Sequence, residues 1–257
     1  MIQTTLLAEY LDKLLEISRI PDYPGAMNGL QLGNKDNVRK IAAAVDFSSR
    51  TAELAIEQQA DFLIVHHGMF WSGAQPITGR RFERLKSLIE NNVAVYSSHL
   101  PLDCHRIFGN NTLLSRELGL EPSGGFAHHG TISIGVSGTS EMPTAELTQR
   151  ARAFAATHGG NVVTAGFSPR DVTGHWGMCT GAGASGETLE EASEMGIDIL
   201  IVGEGPHWTA VDAAERRITI IYAGHYATET LGVMALAKHA AEHFGLEWTP
   251  IHAPTGL

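Results

Sequence analysis

Apolar positions along this chain follow two rhythms. Short continuous apolar runs alternate with stretches in which apolar residues recur every three or four positions. The first rhythm marks buried strands and the second marks helices with one apolar face. Leu6, Leu7, Tyr10, Leu11, Leu14 and Leu15 predict an opening helix after Thr4 and Thr5, which can cap it, and Pro21 and Pro24 break it. Residues 28–33 read as a short strand or turn. Strands are predicted at 41–45, 62–65 and 93–96, with helices at 51–59, at 81–90 and after Asn111. Beyond these lie predicted strands at 131–136, 161–164, 176–179, 199–202 and 218–222, and helices at 144–157, 188–195 and about 228–244. Strands alternating with helices predict an α/β fold with a mainly parallel sheet. The segment Glu121-Pro122-Ser123-Gly124-Gly125 is the best boundary, dividing a first α/β lobe (1–125) from a second (126–257).

One run has an echo. Asp61-Phe62-Leu63-Ile64-Val65-His66-His67-Gly68 leads to Trp71, and Asp198-Ile199-Leu200-Ile201-Val202-Gly203-Glu204-Gly205 leads to Trp208 at the same offset. Upstream, Ser48, Thr51, Glu53 and Ala55 correspond to Ser185, Thr188, Glu190 and Ala192. Each copy is followed by a further apolar run ending in His-x-x-x-acid: His99 to Asp103, and His225 to Glu229. Parallel strands are commonly rich in Val, Ile and Leu. The matching Asp, Trp and acidic positions therefore carry the argument for two related lobes from an internal duplication. A single long period is unlike a solenoid, whose repeats run to roughly 20–50 residues.

Composition narrows the functional classes. The formal charge is −10 and no basic block occurs, so nucleic acid is an unlikely partner. Two cysteines without a CxxC exclude a thiolate zinc site or a disulfide framework. No apolar run approaches the ~20 residues of a membrane span, and no basic-then-apolar leader opens the chain. A soluble, cytoplasmic protein is expected.

The candidate chemistry lies just past the strand ends, where α/β sheets gather ligands. His66, His67, His99, Asp103, Glu204, His225 and Glu229 all occupy such positions. Imidazole and carboxylate suit zinc, iron, manganese, cobalt or nickel. His225 and Glu229 share a face if a helix begins there. A metal site between the two lobes, at the carboxyl ends of their strands, is the expected arrangement. A His-His pair alone is weak evidence. His128-His129-Gly130 lacks the apolar run and is read as a surface turn. His105, His158, His175, His239, His243 and His252 are read as surface or core-edge residues, and His207 stays open. The glycine-rich stretch 180–186 is either an anion cradle or a tight strand-to-helix turn, matching neither the dinucleotide fingerprint nor the P-loop. No clear Gly-x-Ser-x-Gly elbow supports a serine hydrolase.

His66-His67-Gly68, Ser98-His99-Leu100-Pro101-Leu102-Asp103 and Gly224-His225-Tyr226-Ala227-Thr228-Glu229, together with Asn28-Gly29-Leu30-Gln31 and the 181–185 turn, resemble the signatures of the Nif-three-like dinuclear-metal hexameric family. Its members often carry the name GTP cyclohydrolase 1 type 2 homologue. The resemblance covers essentially the whole chain. It implies two divalent metal ions bound by His66, His67, Asp103, His225 and Glu229, and a toroidal homohexamer with the sites facing an internal cavity. Two places depart from the family pattern: Gly205-Pro206-His207-Trp208 after Glu204, and the histidine pair at 128–129. The expected function is metal-dependent hydrolysis of a small molecule or nucleotide, with Glu204 or His99 moving protons. The alternatives are a metallochaperone or metal insertase using the same ligands, and a ring-shaped interaction scaffold.

Overall fold

The computed structural model describes residues 1–35, 37–167 and 171–257. In chain order the elements are α1 (Thr4–Leu14), β1 (Gly29–Leu32), β2 (Lys40–Asp46), α2 (Ser49–Glu57), β3 (Phe62–His67), α3 (Gly79–Glu90), β4 (Ala94–Ser97), α4 (Leu100–Asp103), α5 (Asn110–Glu117), β5 (Gly124–His129), β6 (Ile132–Pro143), α6 (Thr144–Thr157), β7 (Val163–Gly166), β8 (Val172–Cys179), α7 (Gly186–Glu194), β9 (Ile199–Val202), α8 (Trp208–Glu215), β10 (Thr219–Tyr222), α9 (His225–Thr228), α10 (Thr230–Phe244) and β11 (Glu247–Pro250). The α/β class expected from the alternation is the one found.

The chain forms two compact units, Met1–Leu102 with Gly232–Ala253, and Asp103–Leu231 with Pro254–Leu257. These limits differ from the 125/126 division read from the sequence. The physical reason is strand pairing. After α10 the chain returns to lay β11 parallel to β2, with Trp248 opposite Ile41, so the last helix and strand belong to the first unit. At the other limit, the proposed linker at 121–125 leads directly into β5, which pairs with β6.

The first unit holds a five-stranded sheet in the order β1-β4-β3-β2-β11. It is parallel except for β1, which runs antiparallel to β4. Leu63 and Val65 of β3 pack with Ala42, Ala44, Leu88, Val93, Val95 and Ile251 into one buried cluster. The second unit holds a six-stranded sheet in the order β5-β6-β8-β9-β10-β7. Only β8-β9-β10 is parallel, so this sheet is less parallel than the sequence suggests. The strand predicted at 131–136 is longer, because β6 runs on to Pro143 along β8. Met178, Ile199 and Ile201 face a cluster with Leu147 and Phe154 of α6, while Leu200 and Val202 face Leu189 and Ala192 of α7.

The two echoed segments occupy matching places in their sheets. β3 lies between the parallel strands β2 and β4, β9 lies between the parallel strands β8 and β10, and each follows a helix opened by a Ser/Thr capping box. In α2, Ser48 caps Thr51 N while Thr51 Oγ1 accepts from Ser48 N. Ser185 and Thr188 repeat this at α7. Among the described residues, no helix is long and apolar enough to cross a membrane.

Candidate functional site

In the first unit the ligand set begins at the end of β3. His66 continues the fully buried face of the strand, and His67 is half-buried. Adjacent residues of a regular strand point to opposite faces. Here the chain turns at Gly68, and the two rings lie 4.8 Å apart. A Cβ at Gly68 would overlap the Gln31 amide and Ser97 Oγ. That amide pins the turn: Gln31 Oε1 accepts from Met69 N at 2.7 Å, and Nε2 donates to the carbonyls of Ala26 and Met27. His99 follows β4, with its ring 4.9 Å from His66 and 5.7 Å from His67. One donor atom from each of the three histidines lies within 4.8 Å of the others, a spacing that can hold a metal ion.

Each of these rings is anchored through Nδ1. His66 Nδ1 donates to the Ser98 carbonyl at 2.9 Å. His67 Nδ1 lies 2.8 Å from Asp46 Oδ1, and His99 Nδ1 lies 2.8 Å from Asp22 Oδ1. A carbonyl or carboxylate partner fixes the Nδ1–H tautomer, which leaves the Nε2 lone pair for a metal. Asp22 is itself fixed. Its Oδ2 accepts from Asn28 Nδ2 and Leu100 N, while Asn28 Oδ1 accepts from His99 N. Burial alone raises the Asp22 carboxyl, but the hydrogen bond and charge of His99, with the Asn28 and Leu100 bonds, lower it below its ordinary value.

The second unit carries the acidic candidates. α9 begins at His225, so the expected shared face exists, and Glu229 Oε2 lies 3.1 Å from His225 Nε2. His225 Nδ1 lies 2.7 Å from Oε1 of Glu204, which follows β9. Burial lowers the His225 imidazole. The hydrogen bonds and charges of Glu229 and then Glu204 outweigh that and raise its pKa to about 9. Asp103 and Glu229 are both buried, and Asn110 Nδ2 donates to Asp103 Oδ1 at 2.8 Å. Cys179 is pushed up by burial, then by the charges of Asp103, Glu229 and Glu191, which favours a neutral thiol in the metal-free chain, and among the described residues it joins no group spaced to hold a metal ion.

The stretch at 180–186 links β8 to α7, and four of its seven amides are engaged within the protein. Thr180 N donates to Asn111 Oδ1, Gly181 N to Thr228 Oγ1, Ala184 N to the Glu204 carbonyl and Ser185 N to Thr188 Oγ1. Its glycines allow close approach, since a Cβ at Gly181 would overlap Glu229 Oε1. His128 and His129 end β5 rather than forming a turn. His128 sits at the surface, with Nδ1 2.6 Å from Glu191 Oε1. His207 precedes α8 and is exposed beside a cleft of about 540 Å3 that is also lined by Glu204, Pro206, Tyr222 and Asn161.

Sequence reasoning missed the residues behind the ligands. Asp46 was available to the strand-end rule, since it closes the β2 run. Asp22 sits between Pro21 and Pro24, and Asn110 precedes the residue read as a helix cap; neither carries a periodic signal. His99 emerges as a member of the histidine trio, held by a carboxylate as His67 is.

Mixed α/β units with histidine and carboxylate groups suited to metal at their strand ends define the class. The chain belongs to the DUF34/NIF3 family, whose model, Duf34/NIF3 (NGG1p interacting factor 3), matches residues 2–255. It is 40% identical over 252 residues to a GTP cyclohydrolase 1 type 2 homolog of Pyrococcus abyssi, covering 98% of each chain. It is 37% identical over 260 residues to the protein of that name from Deinococcus radiodurans, covering 98% of this chain and 93% of that one. Among solved structures, the protein ybgI, of unknown function, superposes with a TM-score of 0.89 at 33% identity, covering 100% of both chains.

Proposed function

We propose that this chain is a dinuclear-metal protein acting as a metal-dependent hydrolase on a small molecule or nucleotide. His66, His67, Asp103, His225 and Glu229 would hold two divalent ions. The observation that carries this reading is the anchoring of His66, His67, His99 and His225, each through Nδ1 to a carbonyl or carboxylate. Metal-binding histidines are characteristically oriented in this way. His128 and His158 are anchored likewise, but His66, His67 and His99 also bring one donor atom each within 4.8 Å of one another. The donor set fits hard or borderline divalent ions, since among the described residues Cys179 joins no group spaced to hold a metal ion.

When bound, such ions supply Lewis acidity toward a carbonyl or phosphoryl oxygen and make water a nucleophile near neutral pH. The protein's own part is orientation and proton handling. Glu204 fixes the His225 ring, and Asp22 fixes His99, which is placed to hold or pass a proton through its other nitrogen. The cleft beside Glu204 gives a small molecule room, with Tyr222 and Pro206 for apolar contact and Asn161 for polar contact. Relatives named GTP cyclohydrolase 1 type 2 homolog support a nucleotide as the first substrate to try. The family resemblance also carries a homohexameric assembly, which sedimentation analysis of the purified chain would check.

The test is turnover of a nucleotide panel by the metal-loaded protein, beside His67→Ala and Glu229→Ala. Loss of turnover and of bound metal in both variants is expected. Activity that persists in both would sink the two-metal reading. No turnover by the parent, with rapid metal transfer to an apo acceptor, would replace the hydrolase by a metallochaperone.

A further inference from the structure

The second candidate site is basic and lies in the first unit. Arg80, Arg81 and Arg84 sit on adjacent turns of α3 in a chain whose formal charge is −10. A cleft of about 390 Å3 separates this helix from the start of α2, lined by Ser49, Glu53, Arg80, Glu83, Arg84 and Ser87. Arg81 is committed to the backbone, because Nη2 donates to the Met69 carbonyl at 3.0 Å. Arg84 lies over the Phe47 ring, its guanidinium carbon 4.3 Å from the centroid, and Nη1 reaches the Phe47 carbonyl only at 3.5 Å. Its Nε is buried and makes no hydrogen bond among the described residues. Neither Arg80 nor Arg84 forms an ion pair among the described residues, although Glu53 and Glu83 also line the cleft. Burial, then the charges of Arg81 and Arg80, lower the Arg84 pKa from its ordinary value.

Crowded guanidinium groups without carboxylate partners are unfavourable by themselves, and a buried N–H left without an acceptor adds to the cost. An anion relieves both. A guanidinium presents a fork of donors that matches a phosphoryl group, and the Phe47 ring holds the Arg84 fork in place. The N-terminus of α2, a helix of 9 residues, adds positive partial charge at Ser49. The Ser49 and Ser87 hydroxyls can donate as well. We propose that the Arg80–Arg84 cleft binds a phosphoryl anion, either free phosphate compounds or the phosphate chain of a nucleotide. The cleft adjoins the ligand scaffold in sequence, since Phe47 follows the Asp46 that holds His67. The proposal does not depend on the metal reading.

The test is calorimetric titration of the full chain, as purified, with pyrophosphate, beside Arg80→Glu, Arg84→Lys and Arg19→Glu. Arg80→Glu is expected to weaken pyrophosphate at least ~10-fold. Arg84→Lys should weaken it roughly fivefold, because an ammonium lacks the fork. Arg19→Glu should stay within about twofold of the parent, since it makes the same charge change at an exposed residue outside the cleft lining. Arg80 is exposed, so its variant keeps the test decisive if Arg84→Lys fails to fold. Pyrophosphate affinity unchanged in Arg80→Glu, or weakened equally in Arg19→Glu, would overturn the site. So would a parent chain that binds no pyrophosphate. Inorganic phosphate and a nucleoside triphosphate separate the sources. Much tighter triphosphate binding, lost in Arg80→Glu, assigns a nucleotide; equal affinities assign free phosphate compounds.

Discussion

Glu204 Oε1 lies 2.7 Å from His225 Nδ1, so the residue after β9 sets the orientation of the imidazole that follows β10. The opposite ring nitrogen is thereby aimed at Glu229. Removing such a carboxylate characteristically lowers metal affinity about 10–100-fold without removing a ligand. Glu204→Ala should therefore weaken metal in a competitive chelator titration by that factor. Glu204→Gln, which keeps an acceptor, should recover part of it. Parent affinity in Glu204→Ala would show that Glu204 has no orienting role.

Metal and proton compete at His225. In the metal-free chain burial disfavours the imidazolium, but the hydrogen bonds and charges of Glu229 and Glu204 raise its pKa to about 9. The folded value exceeds the unfolded value of roughly 6.5. The stability it contributes is therefore fully present below about pH 6.5 and is lost as pH rises through the folded pKa. A divalent ion taking His225 Nε2 must expel that proton. Between about pH 7 and 8, metal titrations in buffers of different ionisation enthalpy should report proton release. Heats independent of the buffer would contradict this.

Gly181 is irreplaceable for two separate reasons. Its φ is +62°, where a side chain is strained, and an added Cβ would overlap Glu229 Oε1. Gly181→Ala should cost about 1–3 kcal/mol from the backbone alone. It should also displace Glu229 and release metal. Thermal denaturation and metal analysis of the same sample would check both, and a variant matching the parent in each would refute the close approach.

Tyr96 is buried and Asp12 half-buried, and the two members of this pair are not equivalent. Tyr96 Oη donates to Asp12 Oδ1 at 2.9 Å. Burial, reinforced by Glu9 and partly offset by the Tyr96 bond, raises the Asp12 carboxyl. The folded state thus favours its protonated form, and the shift works against stability at neutral pH. Asp12→Asn keeps an acceptor without the charge and should change stability by less than about 1 kcal/mol. Tyr96→Phe strips a half-buried carboxylate of its donor and should cost about 1–3 kcal/mol. Chemical denaturation at pH 7 would compare them, and the reverse order would contradict the assignment.

The sequence by itself determined the α/β alternation, the echo of Ser48 and Thr51 in Ser185 and Thr188, and the placing of histidines and acids just past the strand ends. These features are local: a buried strand needs a continuous apolar run, and a cap needs its partner only three residues on. What lies behind each ligand was decided by the tertiary structure. His67 meets Asp46 across 21 residues of chain, His66 meets Ser98 across 32, and His99 meets Asp22 across 77. No periodicity reaches across such separations; only sheet order and the turn at Gly68 bring the partners together. The same holds for the compact units. Pro and Gly marked a break near 121–125, but backbone pairing overrode it, joining β5 to β6 and carrying β11 back to β2. A strand must satisfy its backbone N–H and C=O groups wherever an open edge exists, and that edge is a property of the fold.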